Sequence, residues 1–235
     1  MIYAFLTILG LAGLLAGLLV AYFGVGMTAR FLADRRANRL EGDGRLAITF
    51  DDGPSPGFTN QILDLLKEFD APATFFLIGE TAKANPGVVR RIAAEGHTVG
   101  WHSSTHLNQW KVNPLRGWQD SIRMPDILGD GPTKASVYRP PYGKMNLFTV
   151  LAMRSLKLPI STWTCPSGDT YTPLPAVKTV VNLIADAGGG VVLMHDMTRN
   201  GLDAKERDQF VLDLTRALLM LSRDRGWTLV SAIDS

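Results

Sequence analysis

From Arg45 to the end of the chain, short apolar runs alternate with amphipathic stretches, and the pattern repeats. "RLAITF" (45–50) reads as a buried strand, and "TNQILDLLKEF" (59–69) sets Ile62, Leu63, Leu65, Leu66 and Phe69 at helical spacing. "ATFFLIG" (73–79) is strand-like; "NPGVVRRIAAEG" (85–96) is a helix with Pro near its start and Gly at its end; "HTVGWH" is extended again. "SVYRPPYG" (136–143), "LPISTWT" (158–164) and "GGVVLMHD" (189–196) are three more apolar runs that end in polar residues. "MNLFTVLAMRSL", "LPAVKTVVNLIADAG" and a stretch from about Asp203 to Arg225 are helical, and "WTLVSAI" closes the chain as a strand. Strand and helix in regular alternation predict an α/β fold with a parallel sheet closed into a barrel.

The first 29 residues differ from the rest: they hold no Asp, Glu, Lys, Arg or His. About 20 apolar residues suffice to cross a bilayer as a helix, so residues 1–29 are expected to be a transmembrane anchor, 30–44 a juxtamembrane linker and 45–235 the globular domain. A cleaved signal peptide is the competing reading, but it calls for a basic start, a shorter core and a small-residue cleavage site. Gly13 and Gly17 form a G-x-x-x-G step through which two anchors could pair weakly as a homodimer. Arg30, Arg35, Arg36 and Arg39 follow the helix and argue for an inward-facing domain, leaving its side of the membrane open.

Composition narrows the functional classes. Twenty-four basic residues against 22 acidic give a net charge of +2, so no basic field points to nucleic acid. A single cysteine, Cys165, excludes an internal disulfide and a Cys-rich zinc site. The triple glycine 188–190 is expected to be a helix-to-strand turn, since no helix follows it as a phosphate cradle requires.

Polar residues cluster where apolar runs stop: "TFDDGP", "HSSTH", "RPPYG", "SGDT" and "LMHD". Parallel sheets and barrels build their sites at the C-terminal ends of strands, so these segments can converge. His102 and His106 stand four apart, a spacing that brings two imidazoles to one side of a helical turn. With Asp52 they offer two nitrogens and one oxygen and leave a position for water, as catalytic zinc requires. Asp51, next to Asp52, is then free to act as base. Ordinary turn chemistry explains one Asp and the Gly of "DDGP" but not two acids in this company. The same donor set also makes the facial triad of non-haem iron oxygenases, a second reading of the ligands alone.

"TFDDGP", "HSSTH", "RPPYG" and "LMH" resemble, in order, the motifs of the polysaccharide deacetylase family, the NodB-homology carbohydrate esterases, over roughly residues 45–233. The resemblance implies a distorted (β/α) barrel and hydrolysis of N-acetyl, or O-acetyl, groups from an N-acetylated glycan or glycolipid. It implies a divalent metal, Zn2+ first and Co2+ or Mn2+ as alternatives, on Asp52, His102 and His106. Asp51 would be the general base held by Arg139, Tyr142 would give a backbone N–H to the oxyanion, and His195 would be the acid steered by Asp169. Leu193 would line the acetyl pocket, and His97 would be structural, hydrogen-bonded beneath the site. The fourth motif departs from the family: "WTCPSGDTY" carries Pro166 where many relatives have an Asp and Thr170 where they have a Trp. Trp163, Trp101 or Tyr171 would then have to fill that space. The departure leaves the sugar and the acyl group open, and the alternative reading is a membrane-anchored glycan-binding or interaction protein of the same fold with reduced or lost activity.

Overall fold

The computed structural model describes residues 1–197 and 203–234, Ala4 through its backbone alone; the expected domain end, Ser235, lies outside them. One long helix, α1 (Ile2–Ala37), is followed by the domain: β1 (Arg45–Asp51), α2 (Pro56–Glu68), β2 (Thr74–Leu77), α3 (Gly79–Ala84), α4 (Pro86–Ala94), β3 (Thr98–Trp101), α5 (Pro114–Ile122) and α6 (Asp126–Gly129). Its second half holds β4 (Val137–Tyr138), α7 (Leu147–Leu156), β5 (Cys165–Pro166), α8 (Val177–Ala187), β6 (Gly189–His195), α9 (Ala204–Arg225) and β7 (Thr228–Leu229).

Every strand pair is parallel, in the order β4-β3-β2-β1-β6-β5. The ring closes through the segment 158–166. Ile160 bridges Tyr138 of β4, and Cys165 and Pro166 then pair with Val192 and Leu193 of β6. The continuous strand expected over 158–164 is therefore broken, because the Thr162 carbonyl accepts from the buried Arg139 side chain rather than from a neighbouring strand. β7 pairs with Arg45 and Leu46 at the start of β1, while β2 joins β1 only from Thr49 onward. Sharing one edge of β1 between two strands is what distorts the barrel.

Local chemistry agrees with this layout. α2 and α4 each begin with Pro in the first turn, where its missing N–H costs nothing. α8 and α9 end on the left-handed glycines Gly188 and Gly226. Phe50 stacks on Phe75, and Ile48, Ile62, Leu63 and Leu66 are fully buried around them. Each such side chain contributes about 1.5–3 kcal/mol on leaving water.

α1 departs from the expected boundaries. Residues 30–37, within the stretch expected to be linker, continue the helix, and Ala33, Ala37 and Leu40 are buried against the domain. The reason is packing: Ala37 and Leu40 form a small apolar cluster with Ala47 of β1 and Val191 of β6.

Candidate metal and catalytic site

β1 delivers Asp51 to the C-terminal rim of the barrel, in register with Phe76 of β2 and His195 of β6. Alternation along the strand puts Thr49 on the same inner face as Asp51, and Arg139 uses this. Its Nη1 donates to Thr49 Oγ1 (2.7 Å) and to Asp51 Oδ1 (2.8 Å), and its Nη2 to the Thr162 carbonyl (2.9 Å). The guanidinium lies over the Phe76 ring, 4.0 Å from its centre.

Asp52 leaves the strand with φ +74°, a left-handed conformation uncommon for a residue with a side chain. Its Oδ1 comes within 3.0 Å of His106 Nε2 and 3.3 Å of His102 Nε2. The two histidines meet on a loop and not on the helical turn that their spacing suggested: Ser103 and His106 both have positive φ, +66° and +59°. Side chains hold that loop from outside. Ser103 Oγ accepts the His106 N–H, and the Asp120 carboxylate accepts from the Thr105 N–H, the Thr105 hydroxyl and the Leu107 N–H. His102 Nδ1 lies 2.7 Å from the Arg139 carbonyl. A carbonyl can only accept, so Nδ1 carries the proton and Nε2 is left as the atom facing Asp52.

The donor set fits a metal ion. Asp52, His102 and His106 each offer one atom, all within 4.8 Å of one another. Asp52 Oδ1 is buried and makes no aligned hydrogen bond among the described residues, although two imidazole nitrogens crowd it. Three lone-pair donors this close together, the carboxylate oxygen among them without an aligned hydrogen, suit a cation. The electrostatics agree: burial works against the charged form of Asp52, but the two imidazoles outweigh it and hold the carboxyl well below its usual range. Burial likewise opposes a charged His102, and the Asp51 and Asp52 carboxylates overcome it to raise its pKa.

Opposite the histidine pair, His195 Nδ1 lies 2.9 Å from Asp169 Oδ1, and the His195 backbone N–H donates to Asp169 Oδ2 (3.0 Å). Burial lowers the imidazole pKa, but Asp169, with Asp51 and Asp52 behind it, raises it to about 9. The Asp169 loop is held by Arg207, whose Nη1 donates to the carbonyls of Asp169 and Tyr171. Leu193 is buried, two residues before His195 on the same face of β6. Tyr142 sits at φ +56° on the loop after β4, its ring 4.6 Å from that of His106.

Sequence reasoning passed over several residues that shape the site. Asp196 is fully buried and accepts from Thr59 Oγ1 (2.7 Å). Burial, then the charges of Asp52 and Asp51, push its carboxyl up to about 7. It packs against the Cα of Gly53, where any Cβ would overlap the carboxylate, so the residue after Asp52 must be glycine. The "LMHD" motif contained the signal for Asp196; Asp120 and Arg207 lie in amphipathic helices, where no pattern marks them.

Two expectations fail. His97 lies at the start of β3, the opposite end of the strand from the site, and neither ring nitrogen has a hydrogen-bond partner among the described residues. It packs edge-on to Phe75, and burial lowers its pKa. Trp101 cannot supply the missing wall: it is fully buried in the core with its indole N–H on the Ser121 carbonyl. Trp163 is partly buried beneath Arg30 (4.7 Å) and Arg139 (5.7 Å), while Tyr171 is exposed on the Asp169 loop.

The sequence profile described as polysaccharide deacetylase matches residues 39–161. A peptidoglycan-N-acetylglucosamine deacetylase of Bacillus cereus is 30% identical over 191 residues, 80% of this chain and 86% of that protein. A chitooligosaccharide deacetylase of Sinorhizobium fredii is 33% identical over 191 residues, 78% of this chain and 88% of its own. Other matched relatives are longer, and the chain spans 32% of one of them. Among solved structures, a family 4 carbohydrate esterase from Streptomyces lividans in complex with acetate superposes with a TM-score of 0.67 at 27% identity, covering 80% of this chain and 91% of that one.

Proposed function

Since the chain belongs to the polysaccharide deacetylase family, we propose that it hydrolyses N-acetyl groups from an N-acetylated glycan, with Asp52, His102 and His106 as ligands of a divalent metal. Two nitrogens and one oxygen suit zinc best. The observation that carries the reading is the convergence of those three donor atoms next to Asp51, whose neighbour in register across β1 and β6 is His195.

When bound, the ion would polarise the acetyl carbonyl and bring the ionisation of a water towards pH about 7. Asp51, fixed by Arg139, accepts the proton of the attacking water. The backbone N–H of Tyr142 donates to the oxyanion, an interaction of about 3 kcal/mol in comparable sites. His195, kept protonated by Asp169, gives its proton to the sugar nitrogen as the C–N bond breaks, so that acetate and a free amine leave. Leu193 lines the pocket for the acetyl methyl. In this reading α1 is an uncleaved anchor. A signal peptide is discarded, whereas Arg30 of α1 donates to the Gly143 carbonyl (2.9 Å) and Ala33 and Ala37 are buried on the domain.

The test is elemental analysis coupled to acetate release from N-acetylated chitooligosaccharides. One equivalent of metal and metal-dependent acetate are expected. Stoichiometric metal without acetate from any N-acetylated glycan would instead favour a binding protein of the same fold.

A further inference from the structure

α1 and α7 run side by side in the same direction. Asn146 Nδ2, at the start of α7, donates to Tyr22 Oη (2.8 Å), and the rings of Tyr22 and Phe148 meet edge-on. Farther along, Ala29, Leu32, Ala33 and Arg36 lie beside Val150, Met153, Arg154 and Lys157. α7 leaves the rim where β4 ends and returns to the opposite rim, so α1 also descends from the site rim, reaching Leu40 and Gly42 beside Gly189 and Ala187. The 21 residues before Tyr22 therefore project beyond the rim that carries Asp51, Asp52, His102, His106 and His195. They hold no charged side chain, and Leu11, Leu14, Leu15 and Leu18 are each about 60% exposed. At 1.5 Å per residue this bare stretch is about 30 Å long, the thickness of a bilayer's hydrocarbon core.

Where the bare stretch ends, the rim changes character. Trp110, Leu115 and Tyr142 are exposed there, the Phe23 ring meets that of Trp110, and Lys144 Nζ lies 4.3 Å from the Trp110 ring centre. Trp and Tyr with nearby Lys are the residues of a membrane–water interface. Between α1 and the loop 143–145 lies a cleft of about 300 Å³, lined by Met27, Phe31, Trp110 and Lys144 and by the Arg30–Asp34 ion pair. One loop separates this cleft from the candidate metal site, for Tyr142 faces His106 and the next residue, Gly143, faces Arg30.

We propose that the mouth of the site faces the bilayer in which α1 is embedded, and that the substrate is an N-acetylated saccharide joined through phosphate or diphosphate to a membrane hydrocarbon chain. The proposal rests on the deacetylase reading and narrows its substrate. The cleft receives the chain end and its phosphate, with Lys144 as the cation, while the sugar reaches past Tyr142 to the donor cluster. A long polymer would have to thread between rim and membrane; a lipid-linked sugar arrives from that side.

The full chain, metal-loaded and reconstituted in vesicles, is offered two probes: polyprenyl-diphosphate-linked N,N′-diacetylchitobiose in the same bilayer, and water-soluble tetra-N-acetylchitotetraose. Acetate release from the lipid-linked probe should show kcat/KM at least tenfold higher. Equal or faster release from the soluble probe overturns the substrate proposal and leaves deacetylation standing; no acetate from either counts against the deacetylase reading itself. Brominated lipids test the orientation separately. They should quench tryptophan fluorescence, with at least half of the quenching lost in Trp110→Phe and none in Trp227→Phe at the far rim. Quenching that survives Trp110→Phe unchanged would show that the mouth does not face the membrane.

Discussion

Arg139 and Asp51 form an ion pair closed off from solvent, Nη1 to Oδ1 at 2.8 Å with side chains 0% and 4% exposed. Removing one partner of such a pair leaves the other charge buried alone, at about 3–5 kcal/mol. Arg139→Met should accordingly lower the unfolding free energy obtained from urea melts of the full chain in detergent by about that much, with the midpoint falling in proportion. A midpoint within error of the parent's would mean that Asp51 does not depend on this partner.

Asp51 and Asp52 are neighbours with different expected losses. Asp51→Asn should keep one equivalent of metal yet reduce acetate release by about 10²–10⁴, the usual contribution of a positioned base. His102→Ala should lower both metal content and turnover. Full activity in Asp51→Asn would remove Asp51 from the chemistry.

The His195–Asp169 pair sets a pH dependence. In the metal-free protein the imidazole should titrate near pH 9 by NMR, above its ordinary value of about 6.5. The folded state then binds the proton more tightly than the unfolded one. The associated stability is therefore complete below pH about 6.5 and is lost as pH rises through about 9. Asp169→Asn should move the titration down and shrink that loss; an unmoved titration would show that Asp169 is not what raises it.

Arg30 ties α1 to the loop that carries Tyr142. Arg30→Ala frees the Gly143 carbonyl and opens space beside Trp163, and kcat should fall several-fold with metal content unchanged. An unaltered kcat would confine Arg30 to anchoring the helix.

Gly53 is confined by the buried Asp196 carboxylate. Gly53→Ala should cost about 1–3 kcal/mol, as overpacking of a tight interior does. Because Gly53 follows Asp52, metal affinity should fall with it, a change that isothermal titration would detect; unchanged affinity would mean that the Asp52 turn is insensitive to this contact.

Sequence alone determined the alternation of strands and helices, the bare apolar start, and the site candidates, because side-chain type and period are local properties. Asp51, Asp52, His102, Arg139 and His195 stand at strand ends, and His106 on the loop that follows one, where a parallel barrel must bring its polar residues together. Tertiary structure decided what depends on contacts distant in sequence. It broke the strand over 158–164 for the sake of Arg139, carried α1 past residue 29 because Ala33, Ala37 and Leu40 found a surface to bury, and placed His97 at the wrong end of its strand for any role in the site. It also joined His102 to His106 by left-handed turns that Asp120 holds from outside. A four-residue spacing says which side chains can meet; the energy of packing and of satisfying buried polar groups decides by what path they do.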